Sequence, residues 1–420
     1  MEKAWAKVHG GYLNVDVGWA KEAMHDLTGA PCKYYFNNLE TDQTRWGAIV
    51  AAVRKDFIMT CSTPNLGSLP QEVKDRNNGI VGNHVYSLLS VVELMETDGK
   101  FVIFEGSDGG WNPDTVKLVK LRNPWGNGEW VGPWHEGDSQ WTDALRQTLG
   151  IKVEDDGIFF MPFEEFTVLF EKFQICYFHD DFCYSASKYE LEKNEHAYFS
   201  FEVSEAGEYY LSLAQENRRF FKPSQKFQYS GPLFTLSKVQ TDGQLELVTV
   251  FQKTDRVTWE KASLTPGPYL CSIWTPWVSF SKKITLSCYG PSDITFTTLP
   301  ADREPAKSYY TQAATAAAIN NPDLKWFDIC GEAPNKLRLK YILPKNGFGY
   351  VYLKNDLSNP WEVTLLWNKK ENVLALGEFG GPIRVPAGGA SCFCWFREND
   401  RLPSGSQFRY KFFGWGDKIF

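Results

Sequence analysis

No stretch of the 420 residues approaches the roughly 20 consecutive apolar positions of a membrane helix, and residues 1–18 alternate charged with apolar side chains instead of carrying a signal-peptide core. A chain that is neither inserted nor exported is expected. Basic excess is lacking too: 44 Lys and Arg stand against 51 Asp and Glu, a net charge of -7, so no nucleic-acid partner is expected. There is no Asn-x-Ser/Thr acceptor, in keeping with a cytoplasmic location. The nine cysteines are an odd count without the dense spacing of a secreted disulfide scaffold, which suits a reducing compartment. Cys392 and Cys394 form a Cys-x-Cys pair, and Cys176 and Cys183 lie seven apart. Such partial spacings are of low specificity and do not make a complete zinc site, so no zinc is expected, and no nucleotide.

Apolar material is plentiful, with 43% hydrophobic and 15% aromatic residues, so the chain is globular, and its length suggests about three domains. Helical patterns run over residues 1–29 in two short pieces and over Thr44 to Phe57, where Trp46, Ile49, Val50 and Val53 share one face. A polar loop from Pro64 to Asn78 precedes strand patterns at Gly82 to Leu94, Lys100 to Glu105 and Thr115 to Leu121. A helix from Pro162 to Phe173 is expected to close this region, with Phe163, Phe166 and Phe170 at helical spacing. Tyr184 to Tyr289 is all short alternating runs, the pattern of a β-sandwich. A second set of strands starts at Lys336, beyond a connector with an alanine-rich stretch, Ala313 to Ile319, read as a possible short helix. The fold class is an α+β half-domain, an antiparallel sheet lobe with short helices, followed by two β-sandwich domains. The boundaries are 1–180, 181–295, a connector over 296–330, and 331–420.

Two segments put polar groups at strand edges: Gly82-Asn83-His84-Val85 entering one strand and Arg122-Asn123-Pro124-Trp125 leaving another. A histidine base needs a partner for one ring N–H, which fixes the tautomer, and an asparagine carbonyl can be that partner. The pairing expected for His84 and Asn123 has Nδ1–H donating to the amide, leaving Nε2 to take a proton from a thiol. Pro124 has no N–H to continue a central strand, so the ladder stops at Asn123, at a sheet rim where a cleft can form, and Trp125 is positioned to shield the bond from water. Each residue also has an ordinary reading, the histidine as a hydrogen-bonded core or edge residue and Asn-Pro as a turn.

The segments GNHVYSLLSV and LVKLRNPWGNGEWVGPW, followed by DDGIFFMPFEEF and preceded by EKAWAKVHGGY and DLTGAP, resemble the calpain-like cysteine peptidases over residues 1–180. The likeness is to the end of the first catalytic lobe and the whole of the second, with a looser likeness from Tyr184 to Tyr289 to the β-sandwich that follows. It implies a papain-like half-domain in which His84 and Asn123 match the catalytic histidine and asparagine and Trp125 the tryptophan beside them. The family's nucleophile and oxyanion donors belong to the first lobe, in a Gly-Cys-Trp context at a helix start, upstream of the residues present here. Cys32 and Cys61 lack that setting, and Cys394-Trp395 sits on a strand near the C-terminus, so no nucleophile is assigned. The resemblance also implies a calcium site of hard oxygen ligands at Glu129, Glu136 and Asp156, with Ile158 standing where a further acid is expected.

Arg218, Arg219, Lys222 and Lys226 surround Phe220 and Phe221 in the first β unit, a combination suited to peripheral contact with anionic lipid. The function expected from the resemblance is calcium-dependent endoproteolysis on protein substrates, by a chain inactive alone and completed by a first lobe, present in trans or encoded upstream. The alternative is a pseudopeptidase acting as a scaffold for binding partners. The family reading further requires a His84 ring nitrogen about 3 Å from the Asn123 side-chain oxygen.

Overall fold

The computed structural model describes residues 1–299 apart from 105–109, 193–195, 242, 244, 276 and 278–280, and then 327–332, 335–342, 348–367, 373–376, 382–397 and 408–414. The alanine-rich stretch and most of the connector lie outside the described residues. Val15–Phe182 forms one compact unit, and Met1–Asn14 with Cys183–Phe420 another. The opening helix α1 (Glu2–Val8) thus clusters with the C-terminal part of the chain, whereas the sequence reading had grouped it with residues up to 180. Within that unit Arg219 donates to the Asn14 carbonyl at 3.3 Å, and the Phe220 ring lies 5.8 Å from that of the buried His9. Two residues of the basic aromatic loop are therefore engaged by the chain's own first residues.

In the unit Val15–Phe182 the elements run α2 (Ala20–Thr28), β1 (Cys32–Phe36), α3 (Asp42–Arg54), β2 (Ile58–Ser62), α4 (Gln71–Asp75), β3 (Val85–Thr97), β4 (Lys100–Ile103), β5 (Val116–Arg122), α5 (Asp143–Leu149), β6 (Ile158–Pro162), α6 (Phe163–Leu169) and β7 (Lys172–Cys176). Gly29 closes α2 in the left-handed conformation that a glycine adopts without a Cβ clash, and Thr41 caps α3 by accepting from the Thr44 N–H. The strands form one antiparallel sheet in the order β1-β7-β2-β3-β5-β6, with β4 beside β3.

Side-chain alternation divides this sheet between two cores. Val119, Leu121, Phe159 and Met161 point to the side carrying α3 and α6, where Trp46 meets Phe163 edge-on at 5.1 Å and Phe166 stacks on Phe170. Leu118 and Phe160, adjacent to these in sequence and of the opposite parity, face a second core with Trp134, Trp141 and Leu145 of α5. Strands covered on both faces read as continuous apolar runs, without a period of two. This accounts for the sequence reading that extended the last helix to Phe173. The helix ends at Leu169, Phe170 turns extended with ψ 138°, and Lys172–Cys176 is a strand between β1 and β2.

In the other unit, β8 (Cys183–Glu190), β9 (His196–Val203), β10 (Gly207–Gln215), β11 (Leu233–Val239), β12 (Leu245–Gln252), β13 (Val257–Leu264), β14 (Gly267–Trp274), β15 (Lys283–Gly290) and β16 (Thr297–Leu299) make two antiparallel sheets. Their orders are β13-β10-β15-β8 and β12-β11-β14-β9-β16. Leu211, Leu213 and Leu286 of the first share a core with Phe199, Leu236 and Ile273 of the second. Thr297–Leu299 had been assigned to the connector, but it pairs with β9 as an edge strand. Further on, β17 (Phe327–Glu332), β18 (Asn335–Ile342), β19 (Phe348–Asn355), β20 (Trp361–Trp367), β21 (Val373–Leu376), β22 (Pro382–Val385), β23 (Ala390–Arg397) and β24 (Phe408–Gly414) give sheets ordered β17-β18-β19-β23-β21 and β22-β20-β24. Among the described residues no helix is long and apolar enough to cross a membrane.

Candidate active site

His84 is the last residue before β3, and Asn123 the first after β5, so pairing of these neighbouring strands brings them together across the rim of the sheet. Asn83 holds a positive φ of 53°, a region asparagine tolerates, and this bend aims the chain into the strand. The backbone of His84 is tied down by Thr63, whose hydroxyl accepts from the His84 N–H at 3.0 Å, while the Thr63 N–H donates to the His84 carbonyl at 3.0 Å.

Asn123 is fully buried, and every polar group of its side chain is used. Its Nδ2 donates to the carbonyls of Asn127 at 2.8 Å and Gly128 at 3.1 Å, and its Oδ1 accepts from the Trp125 N–H at 3.2 Å. These partners fix which end of the amide is oxygen. That oxygen lies 2.9 Å from His84 Nε2, so Nε2 carries the proton and donates. The bond required by the sequence reading is present, but on the other ring nitrogen: Nε2 is tied to the amide and Nδ1 keeps the lone pair. The Trp125 ring lies 4.3 Å from the imidazole, tilted by 40°, and Tyr86 meets it edge-on at 5.0 Å. Trp125 remains 61% exposed, so it flanks the ring with one face open to solvent.

Neither cysteine of the unit that precedes His84 has such surroundings. Cys61 is wholly buried with its thiol toward the Tyr86 carbonyl at 3.8 Å, and burial pushes its pKa well up, which disfavours a thiolate. Cys32 is buried on β1 opposite Cys176. Cys394 lies in β23, paired with Tyr350.

The three acids assigned to calcium surround the turn before β6. Glu129 Oε1 accepts from the Gly157 N–H at 2.7 Å, Asp156 Oδ1 from the Ile158 N–H at 2.8 Å, and Glu136 Oε2 from the Glu154 N–H at 3.3 Å. Burial, then the charges of Glu129 and Asp156, raise Glu136 to about 7. Among the described residues no three acids, histidines or cysteines converge closely enough to hold a metal ion. Each of the three carboxylates accepts from a backbone N–H and keeps further acceptor capacity on its oxygens. Ile158 brings an alkyl side chain to the start of β6 and no ligand.

Two residues of this region were missed in the sequence. Asp155 accepts from the Gly128 N–H at 3.1 Å, fastening the loop whose carbonyls hold Asn123. Gly157 has a φ of 83°, its carbonyl accepts from the Asn123 N–H at 2.7 Å, and a Cβ there would stand 2.7 Å from the Asn123 carbonyl oxygen. Only glycine fits, and the Asp-Asp-Gly turn was the available signal.

Glu136 has a testable consequence. Its folded pKa of about 7 lies above the ordinary 4.5, so between those values the folded chain holds a proton that the unfolded chain has lost. Stability therefore falls as pH rises through that window. Glu136→Gln is expected to match the parent near pH 4 and to exceed it at pH 8. The gain is held by solvent screening of this partly exposed group to about 1 kcal/mol, a few degrees in Tm. Thermal melts across pH check this, and a constant offset at all pH values would refute it.

A sequence model of the family described as "Calpain family cysteine protease" matches residues 1–177. Among curated proteins, similarity is found to Calpain clp-4 of Caenorhabditis elegans, 31% identical over 180 residues, covering 42% of this chain and 23% of that protein. Calpain-9 of Rattus norvegicus is 31% identical over 179 residues, covering 42% of this chain and 24% of the relative. The Calpain-1 catalytic subunit of the same organism is likewise 31% identical over 179 residues, with 42% and 23% covered. The chain thus spans about a quarter of the length of the curated relatives it matches.

Proposed function

We propose, from the match of residues 1–177 to the calpain family of cysteine proteases, that the chain supplies the base and its orienting amide to a calpain-type endopeptidase whose nucleophilic cysteine comes from a first lobe outside this sequence. The observation that carries the reading is the 2.9 Å bond from His84 Nε2–H to an Asn123 oxygen whose orientation three other hydrogen bonds fix. With Nε2 so occupied, Nδ1 is the atom that takes the thiol proton, and the imidazolium formed is stabilised by the amide dipole. The thiolate then attacks the peptide carbonyl, Nδ1–H returns the proton to the departing amine, and water, deprotonated by the same nitrogen, hydrolyses the thioester. Trp125 on one side of the imidazole and Tyr86 on another restrict its rotation.

Protein substrates, a β-sandwich role for the sheets after residue 183 and a cytoplasmic setting belong to this proposal and rest on the resemblance, and lipid contact through the loop of Arg218, Arg219, Lys222 and Lys226 with Phe220 and Phe221 belongs to it on the composition of that loop. Calcium enters it as a structural cation that would offset the like charges of Glu129, Glu136 and Asp156, and no step of the chemistry passes through it. A second reading, a non-catalytic scaffold, is favoured by the burial of Cys32 and Cys61.

Fusing the cysteine-bearing first lobe of a matched calpain ahead of residue 1 separates the two readings. The fusion is expected to cleave casein in a manner blocked by a thiol alkylator, and the 420-residue chain alone to leave casein intact. A folded fusion with no cleavage favours the scaffold. Cysteine-dependent cleavage by the chain alone would overturn the assignment of the nucleophile to another lobe.

A further inference from the structure

Cys32 and Cys176 lie directly opposite each other on the antiparallel strands β1 and β7, and neither is in a disulfide, Cys32 being 2% exposed and Cys176 fully buried. The hydrogen-bond pattern defines the kind of pair they form. The Tyr177 N–H donates to the Pro31 carbonyl at 3.0 Å and the Asn37 N–H to the Glu171 carbonyl at 3.0 Å, so odd-numbered residues of β1 occupy hydrogen-bonded positions. Residue 32 therefore faces 176 across a non-hydrogen-bonded position, where opposed Cα atoms approach to about 4.5 Å and side chains come closest. That separation falls within the roughly 4.4–6.8 Å that a disulfide spans.

The Thr28 hydroxyl stands 3.7 Å from the Cys176 sulfur, and the Cys32 thiol is directed to the Ala30 carbonyl at 3.8 Å. Proximity to Cys32 first, with Thr28 beside it, draws the Cys176 thiol below its usual value despite burial, whereas proximity to Cys176 and burial push Cys32 up. Lys21 bears on Cys32 in the thiolate-favouring sense and Asp26 in the opposite one. β1 is the terminal strand of the sheet, so local fraying of that edge opens the pair to a small molecule without unfolding the core. Cys61, on the neighbouring strand β2, is opposite Phe173 and Tyr86 and has no thiol partner across either ladder.

We propose that Cys32 and Cys176 are an oxidation site that closes a reversible cross-strand disulfide by exchange with a low-molecular-weight disulfide such as oxidised glutathione. The Cys176 thiolate attacks one glutathione sulfur, forming a mixed disulfide and releasing one glutathione thiolate. Cys32 then gives up its proton to solvent and attacks the Cys176 sulfur, expelling the second glutathione. Two protein thiols are oxidised and one glutathione disulfide is reduced to two thiols. The loop closed runs from residue 32 to residue 176, most of the compact unit, so the bond restrains the unfolded chain strongly.

The full chain is equilibrated in glutathione buffers of increasing oxidised fraction, trapped with an alkylator, digested without reduction and mapped by mass spectrometry. A peptide linking Cys32 to Cys176 is expected, with an unfolding midpoint raised by several degrees and returned by dithiothreitol. Cys32→Ser and Cys176→Ser each abolish the link, while Cys61→Ser leaves it unchanged. Should either serine variant fold poorly, the map of the parent chain decides alone. Recovery of both cysteines as free thiols across all buffers, or links to Cys61 as abundant as the proposed one, would overturn the proposal.

Discussion

Replacing Asn123 with Ala is expected to lower the unfolding free energy of the unit Val15–Phe182 by about 3 kcal/mol or more, a loss out of scale with removing one small polar side chain. The reason lies in the accounting of hydrogen bonds. The amide is completely buried and satisfies four groups: the Asn127 and Gly128 carbonyls, the Trp125 N–H and His84 Nε2–H. Alanine leaves them partnerless, and each buried polar group so stranded costs about 1–3 kcal/mol, less where water reaches it, as it does near exposed Trp125. Asn123→Asp separates donor from acceptor. The carboxylate still accepts from Trp125 and His84 but faces two carbonyls that need a donor, so its folded-state pKa is raised. Its stability deficit is expected to shrink as pH falls toward 4, where a protonated carboxyl can donate to one of them. Urea unfolding at two pH values measures both. A loss under about 1 kcal/mol for the alanine variant would mean that water replaces the amide and that the site is not preorganised.

The same residue marks how far the sequence could be read. Pro124 announced the end of β5, because a residue without an N–H cannot continue a central ladder, and the meeting of His84 with Asn123 follows from that stop and the neighbouring strand start. The ring nitrogen was not legible. It depends on which way the amide is turned, and that is set by the carbonyls of Asn127 and Gly128, whose loop is fastened by Asp155 and by the close approach at Gly157. Nor was β7 legible. Phe166, Phe170 and Phe173 share helical spacing, and only burial of Phe173, Gln174, Ile175 and Cys176 on both faces distinguishes a central strand from a last helical turn. The opposition of Cys32 to Cys176 depends on that strand and was hidden with it. Local chemistry was therefore readable where one residue type forbids an alternative, as proline does. It was unreadable where several groups jointly choose between two allowed states.

On the proposed reading, His84→Ala in the fused protease lowers kcat by on the order of 10⁴-fold or more, the largest change expected of any substitution in this chain. The imidazole does three things in sequence, accepting the thiol proton, returning it to the departing amine and activating water, so its loss is not confined to one step. It also stabilises the thiolate as an ion pair, and alkylation of the added cysteine should therefore slow and shift its pH dependence toward that of an ordinary thiol. Neither effect requires contact with the remote parts of the substrate, so KM is expected to change only a few-fold. Asn123→Ala, in whatever fraction folds, loses orientation but keeps the base, and a smaller loss of about 10²-fold is expected. Trp125→Ala opens the flank of the ring without removing a proton carrier, and its loss should be smaller still. The order His84, Asn123, Trp125, read in kcat and mirrored in the alkylation profile, distinguishes a base and its orienting amide from a merely structural cluster. A structural cluster would lose activity in proportion to lost stability, which would place Asn123→Ala first. Equal effects of all three, or a His84→Ala variant within tenfold of the parent, would remove the histidine from the mechanism.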